Sequence, residues 1–433
     1  MNYIDAIQFL YALQLFGANF GLENTCRLLR LAGDPQKKLR FIHVAGTNGK
    51  GSTCAMLESI YRASGWRVGL YTSPHLVSFR ERIQVNRELI SEPDVTRLVV
   101  QAKTWLQGFP KDNHPTFFEV VTVIAANYFA EQKCDLVIWE TGLGGRLDAT
   151  NVVTPLASVI TNVQFDHEKW LGNTIEAIAH EKAGIIKPRI PIVTAAEGAA
   201  LDVIRATALR LDAPCHEVHD VTPVPALALV GAHQRRNAAV ALKTIEVVAP
   251  IIPVADAAVR FGLETIQWPA RFQVLRRGEQ TIVLDGAHNP DGARALAEAL
   301  RAEFKSRPLT LILGILQDKN WETICRTLAV MAGKVVVTRV ASDRSASPDV
   351  LAPICGAANP SATVIVAETL AEALIAAGGD SLVVVTGSLY LVGEAMERLG
   401  LSVSVNERAL NEWRVTPNPD ATIRFTASAD PKK

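Results

Sequence analysis

From about residue 40 the chain alternates short unbroken apolar runs with longer stretches of helical period. "LRFIHVAG" predicts a buried strand, "GSTCAMLESIYRASG" a helix, "RVGLYTS" a second strand and "FFEVVTVIAANYFAEQK" a second helix, with "CDLVIWET" and "LASVITNV" as further strands. Continuous Val/Ile/Leu runs separated by helices mark a mainly parallel sheet covered on both faces. The pattern restarts near residue 280, where "TIVLDG", "LTLILGIL", "KVVVTRV", "ATVIVAE" and "SLVVVTGS" read as strands and "DGARALAEALRAEF" as a helix between two of them. Strand–helix units in that number predict a complete second α/β domain, smaller and Rossmann-like.

"IQWPARFQVL" lies between the halves, and its Pro269 predicts an extended link. The expected division is 1–270 for the first domain, 271–415 for the second, and 416–433 for a polar, loosely held tail. "MNYIDAIQFLYALQLFGANFG" lacks a basic start and carries Asp5 within its apolar stretch, so it predicts an amphipathic helix rather than a signal peptide. No apolar run approaches the roughly 20 residues that span a bilayer.

Charge changes the picture by subtraction. Lys+Arg and Asp+Glu both number 44, which argues against nucleic acid or an anionic membrane as partner. An anionic small molecule would need a local cluster instead. The six cysteines are scattered without a C-x-x-C pair, which argues against a zinc site or disulfide framework and predicts a reducing, cytoplasmic setting.

That local cluster is found in "HVAGTNGKGST", between the first strand and the first helix. The common phosphate loop is a glycine, four free positions, then Gly-Lys-Ser/Thr. Here Gly49-Lys50 is followed by Gly51, and Val44 occupies the place of the outer glycine. A strand, a Gly/Asn-rich turn and a helix start still set backbone N–H groups around an anion-sized space. Gly46, Thr47, Asn48, Gly49, Lys50, Gly51 and Ser52 are the candidate nucleotide contacts, with Lys50 reaching the outer phosphates.

The string "HVAGTNGKGS" resembles the loop of the Mur ligase superfamily, in its folylpolyglutamate synthase/dihydrofolate synthase branch. The resemblance extends through "FGLENTCRLLRLAGDP", "YTSPHLVSFRERI", "WETGLGGRLDATN", "FDHEKWLG", "EKAGIIK", "GAHQRRNAAVAL", "WPARFQ", "DGAHNPDGA" and "VTGSLYLVGEA", in family order. It implies ATP and two magnesium ions as cofactors, with potassium as a further candidate, and small-molecule partners: dihydropteroate or a reduced folate, and L-glutamate. A monomer is expected. Ser73 and Glu140, each at a strand end, are implied as ligands of the ATP-bound magnesium, and His167 as a ligand of a second. Lys182 is implied to support that second ion as a carbamate, although a helical lysine at this position would by itself be expected to be solvated. Asn237 is implied at the adenine, with Gln234 a less secure neighbour, Arg271 near the phosphates from the interdomain link, and Asp285 and His288 closing over the nucleotide. Read alone, Asp285 suits a turn, His288 a helix cap, and the "GGRLDATN" loop a surface turn. Contacts from both halves imply a cleft that becomes competent when the domains close.

The implied reaction makes an acyl phosphate from a folate or pteroate carboxylate and ATP, and glutamate's amine then expels phosphate to leave an amide. Two other readings carry different expectations. A peptidoglycan-precursor ligase would use a uridine nucleotide-linked sugar, and a non-catalytic ATP switch would bind nucleotide without acceptor-dependent phosphate release.

Overall fold

In the computed structural model, which describes residues 1–16, 21–219, 224–305, 307–402 and 407, the apolar runs become two sheets. The first holds β1 (Phe41–Ala45), β2 (Val68–Tyr71), β3 (Ile83–Val85), β4 (Glu88–Leu89), β5 (Leu136–Glu140), β6 (Ala157–Ile160), β7 (Ile192–Thr194) and β8 (Cys215–Glu217). Its order is β4-β3-β2-β5-β1-β6-β7-β8. Pairing is parallel from β2 to β8, while β3 and β4 form an antiparallel edge.

Alternate side chains of β5 enter different cores. Val137 and Trp139 join Phe41, Phe129 and Ile124 on one face. Leu136 and Ile138 join Met56, Ile60 and Val240 on the other. Both faces are therefore apolar, as the unbroken runs required. The helix Lys50–Ala63 is buried from Ser52 through Tyr61, because the sheet and the helices Ala232–Val248 and Asp256–Thr265 enclose it.

The second sheet contains β9 (Gln273–Arg277), β10 (Gln280–Leu284), β11 (Thr310–Leu313), β12 (Lys334–Thr338), β13 (Thr363–Ala367) and β14 (Leu382–Thr386). Its order is β13-β12-β11-β14-β10-β9, parallel except for the edge strand β9.

Several elements differ from the sequence reading. The β3–β4 ribbon turns on Asn86 and Arg87, both left-handed with φ 49° and 69°, and its short strands carry little periodic signal. β7 and β8, of three residues each, and the largely exposed edge strand β9 also carry little periodic signal. The link at Pro269 is not extended: Ala270 and Phe272 adopt φ 59° and 49°. Asp285 fixes that turn by accepting the Phe272 N–H at 2.8 Å. At the amino terminus the helix Tyr3–Ala12 forms as expected, and Asp5 serves as its capping-box partner, accepting from the Asn2 N–H at 3.1 Å. The 416–433 tail lies outside the described residues.

The halves interlock through the loop after β2. Glu81 gathers it by accepting the N–H groups of Leu76, Val77 and Ser78 at 2.7, 2.9 and 2.7 Å. Val77 then inserts into the second domain's core beside Leu391 and Val392.

Candidate active site

β1 delivers the phosphate loop to the carboxyl edge of the first sheet, where open α/β sheets bind ligands. Two of its glycines are obligatory. A Cβ on Gly46 would stand 1.9 Å from Thr161 Oγ1, and one on Gly49, whose φ is 82°, would stand 2.2 Å from Asn237 Oδ1. The segment leaving β6 braces the loop: Thr47 N–H donates to Asn162 O at 3.0 Å, Asn48 N–H to Asn162 Oδ1 at 2.8 Å, and Thr161 Oγ1 to Asn48 O at 2.6 Å. Lys50 Nζ arches across it, donating to Gly46 O at 2.9 Å and Thr47 O at 3.1 Å. Val44 sits buried inside β1, so this cradle starts later than the common one and is complete without the outer glycine.

Glu140 ends β5 directly beside Val44. Its Oε2 accepts the Ser73 N–H at 3.0 Å, and the side chain is only 3% accessible. Burial raises its pKa to about 7, against the opposing pull of Lys50 and Arg271. Lys182 lies on the helix Ile175–Ala183, capped by Thr174. The expectation of a solvated lysine fails, because this side chain is 3% accessible. Among the described residues Nζ has no hydrogen bond or ion pair. Burial, reinforced by Lys50, lowers its pKa to about 7. The "GGRLDATN" segment is pinned rather than loose. Asp148 is buried and accepts the N–H groups of Leu143 and Thr150 at 2.7 and 3.0 Å.

His167 caps the short helix Glu168–Leu171 in a left-handed conformation, φ 52°. Its ring is 41% accessible and lies 3.9 Å from Asp166. Asp166 in turn meets three second-domain side chains: Lys319 Nζ at 2.7 Å, Asn289 Nδ2 at 3.2 Å and His288 Nε2 at 3.8 Å. Burial works against its charge, but Lys319, His167 and His288 outweigh it and hold the carboxyl well below the usual range. His288 Nδ1 lies 2.8 Å from Gly286 O, which requires the proton on Nδ1 because a carbonyl only accepts. Burial lowers the His288 pKa to about 4, leaving the ring neutral.

Asp285 holds the link turn. Its oxygens accept the Phe272 and Ala287 N–H groups at 2.8 and 2.9 Å, which is the turn role its position alone suggested. Asn237 donates to Gln234 Oε1 at 3.0 Å and presents Oδ1 to Gly49, and both side chains are buried. Lys50, Glu140, Lys182 and Arg271 thus share one electrostatic neighbourhood. Sequence reasoning missed Asp166, Asn289, Asp291 and Lys319. The first three stand inside the motifs "FDHEKWLG" and "DGAHNPDGA", while Lys319 sits in "QDKNW", outside all of them. Among the described residues no three His, Cys, Asp or Glu side chains are arranged to hold a metal, and no helix is long and apolar enough to cross a membrane.

Comparison with known proteins agrees with this geometry. Residues 44–208 match the Mur ligase middle domain and residues 270–389 the Mur ligase glutamate ligase domain. The dihydrofolate synthase/folylpolyglutamate synthase of Bacillus subtilis is 37% identical over 426 residues, covering 92% of this chain and 99% of the relative. The crystal structure of Thermotoga maritima folylpolyglutamate synthase superposes with a TM-score of 0.82 at 38% identity, covering 94% of this chain and 98% of that one. Escherichia coli FolC, solved in complex with DHPP and ADP, gives a TM-score of 0.84 at 29% identity over 92% and 98% of the two chains. The chain therefore belongs to the folylpolyglutamate synthase/dihydrofolate synthase family of ATP-dependent Mur-type ligases.

Proposed function

We propose that this protein adds L-glutamate both to dihydropteroate and to the γ-carboxyl of reduced folates. The observation that carries the reading is that a buried carboxylate, Glu140, and a buried lysine, Lys182, both lie in the electrostatic neighbourhood of the phosphate-loop Lys50. The likeness to a Bacillus subtilis enzyme named for both activities supports the bifunctional form.

The chemical problem is the leaving group, since a carboxylate does not expel oxide. The acceptor carboxylate attacks the γ-phosphate of ATP and becomes an acyl phosphate, releasing ADP. Glutamate's amine then attacks the acyl carbon and releases inorganic phosphate. Lys50 exchanges its two loop carbonyls for phosphate oxygens, and Arg271 approaches from the link, so both spread the transferred charge. Gly46 to Ser52 surround the phosphates, and Asn237 and His288 border the nucleotide. Asp285 acts by holding the turn behind Arg271.

Magnesium suits this donor set. Glu140 is a buried carboxylate with one hydrogen bond, and magnesium needs only one or two protein oxygens beside phosphates and water. Ser73, Glu140, His167 and carbamylated Lys182 would hold two such ions, whose chemistry would be to neutralise phosphate charge. A lysine with a pKa near 7 is substantially uncharged at neutral pH, which is the form that adds CO2. We assign residues 1–270 and 271–415 to the two domains, and read the protein as a cytoplasmic monomer with potassium as an accessory ion.

ADP release with MgATP, glutamate and bicarbonate, compared for 7,8-dihydropteroate and tetrahydrofolate, tests the reading. Turnover with both supports it, turnover with one restricts it, and turnover only with a uridine nucleotide-linked sugar overturns it. Lys50→Ala is expected to lower turnover at least about a hundredfold, since one lost charge-stabilising contact costs a few kcal/mol. A near-normal rate would remove Lys50 from the mechanism. Short carboxylic acids are expected to restore part of the activity of Lys182→Ala.

A further inference from the structure

Asp166 and Lys319 belong to different halves of the chain, and the reaction above uses neither. Asp166 lies on the segment after β6 and Lys319 on the segment after β11. Their ion pair is 2.7 Å long with both side chains nearly enclosed, at 9% and 8% accessible. Asn289 extends the contact: its Nδ2 reaches Asp166 Oδ2 at 3.2 Å and Asn48 Oδ1 at 2.9 Å. Asn48 Nδ2 donates to Asp291 Oδ2 at 2.9 Å. Two second-domain side chains therefore hold a residue of the phosphate loop, and two hold the carboxylate next to His167.

Enclosing an ion pair takes solvation from both charges, and the loss is offset only when partners stand at good distance. If the second domain swings away, Asp166 and Lys319 return to water separately. The pair therefore exists in one arrangement of the domains and not the other, which is what a two-state element requires. Asn289 ties that arrangement to the loop.

We propose that the Asp166–Lys319 pair, with Asn289, is the closure latch of the cleft, and that Lys319 and Asn289 are positioning residues aligning the phosphate loop and the His167 segment with the second domain. The rate effects of this latch rest on the ligase reading, while its effect on domain arrangement does not.

Asn289→Asp is the sharpest probe. Asn289 also caps the helix Pro290–Phe304 by accepting the Gly292 N–H at 2.8 Å, and Asp caps as well as Asn. The substitution keeps the cap but replaces the Nδ2 donor with a carboxylate oxygen facing Asp166. N289D, K319M and the double variant D166N/K319M should be compared with wild type in the full-length protein. Small-angle X-ray scattering with a non-hydrolysable ATP analogue reads domain closure, calorimetry reads nucleotide affinity, and steady-state assays read rate. Expected are a larger radius of gyration and a kcat lowered about tenfold to a hundredfold for N289D and K319M, because a misplacement of about 1 Å costs up to that factor. In K319M the nucleotide Kd should stay within about threefold, because Lys319 contacts Asp166 and not the phosphate loop. D166N/K319M should be no worse than K319M alone, as members of one unit are non-additive. An unchanged radius of gyration in N289D overturns the latch. So does a Kd of K319M that weakens in proportion to its kcat, which would make Lys319 a nucleotide ligand. If K319M does not fold, N289D decides by its radius of gyration and kcat. Absent turnover in the wild type would refute the ligase reading while leaving the scattering test intact.

Discussion

His43 sits in the middle of β1 without accessible surface, and its Nε2 lies 2.9 Å from Thr150 Oγ1. Burial lowers its pKa to about 3, whereas an unfolded histidine titrates near 6.5. Between those values the unfolded chain binds a proton that the folded chain refuses. Stability from this group is therefore full above pH 6.5 and falls as the pH drops, by about 1.4 kcal/mol per unit. His43→Gln should flatten the acid limb: urea unfolding at pH 7, 6 and 5 should show the wild type's advantage shrinking by about half that amount from pH 7 to 6 and nearly all of it from pH 6 to 5. An advantage independent of pH would mean that the folded imidazole accepts the proton. Lys182 follows the same physics, since burial lowers its pKa to about 7.

Interlocking helices and loops set the requirements at the next scale. The helix Leu389–Arg398 passes so close to the loop after β2 that a Cβ on Gly393 would stand 2.2 Å from Leu76 O. Neither backbone can yield without disturbing Val77 in the second domain's core or the Glu81 hydrogen bonds beside it. Gly393→Ala is expected to destabilise by about 1–3 kcal/mol, the cost of overpacking a tight contact. Denaturant melts would check it against Gly356→Ala, where the nearest atom to a new Cβ is Val364 Cγ2 at 3.9 Å. That control should be neutral or gain up to about 1 kcal/mol from helix propensity. Equal losses in both variants would show that the Leu76 contact does not decide the outcome.

For the molecule as a whole, the consequence is linkage between the two domains. The phosphate loop belongs to the first sheet, yet Asn48 is held by Asn289 and Asp291 from the second. A ligand bound in this cleft should stabilise both halves together. MgATP at a hundred times its Kd should add about 2.7 kcal/mol by mass action. The unfolding midpoint should move for probes in either domain, and Lys50→Ala at the same ATP concentration should show a smaller displacement. Movement of first-domain probes alone would mean that the domains unfold independently of the nucleotide.

What the chain determined by itself is what depends on neighbours in sequence. Unbroken Val/Ile/Leu runs made the central strands legible, because strands buried on both faces need no alternation. Strand ends placed Ser73 and Glu140 at the ligand edge, and "HVAGTNGKGST" declared an anion cradle through its glycines and lysine. Local pattern is silent where the deciding partner is remote. Lys319 and Asp166 are 153 positions apart and Asn48 and Asn289 are 241 apart, so their pairing had no signature in either segment. Lys182 read as solvated because its helix is unremarkable alone, and only the surrounding elements exclude water from it. Asp285 read alone suited a turn, and its oxygens do accept the Phe272 and Ala287 N–H groups, a contact that depends on the left-handed backbone at Phe272. Composition and period select the elements, but desolvation and pairing are properties of three-dimensional neighbourhoods, and those neighbourhoods set charge, reactivity and closure in this protein.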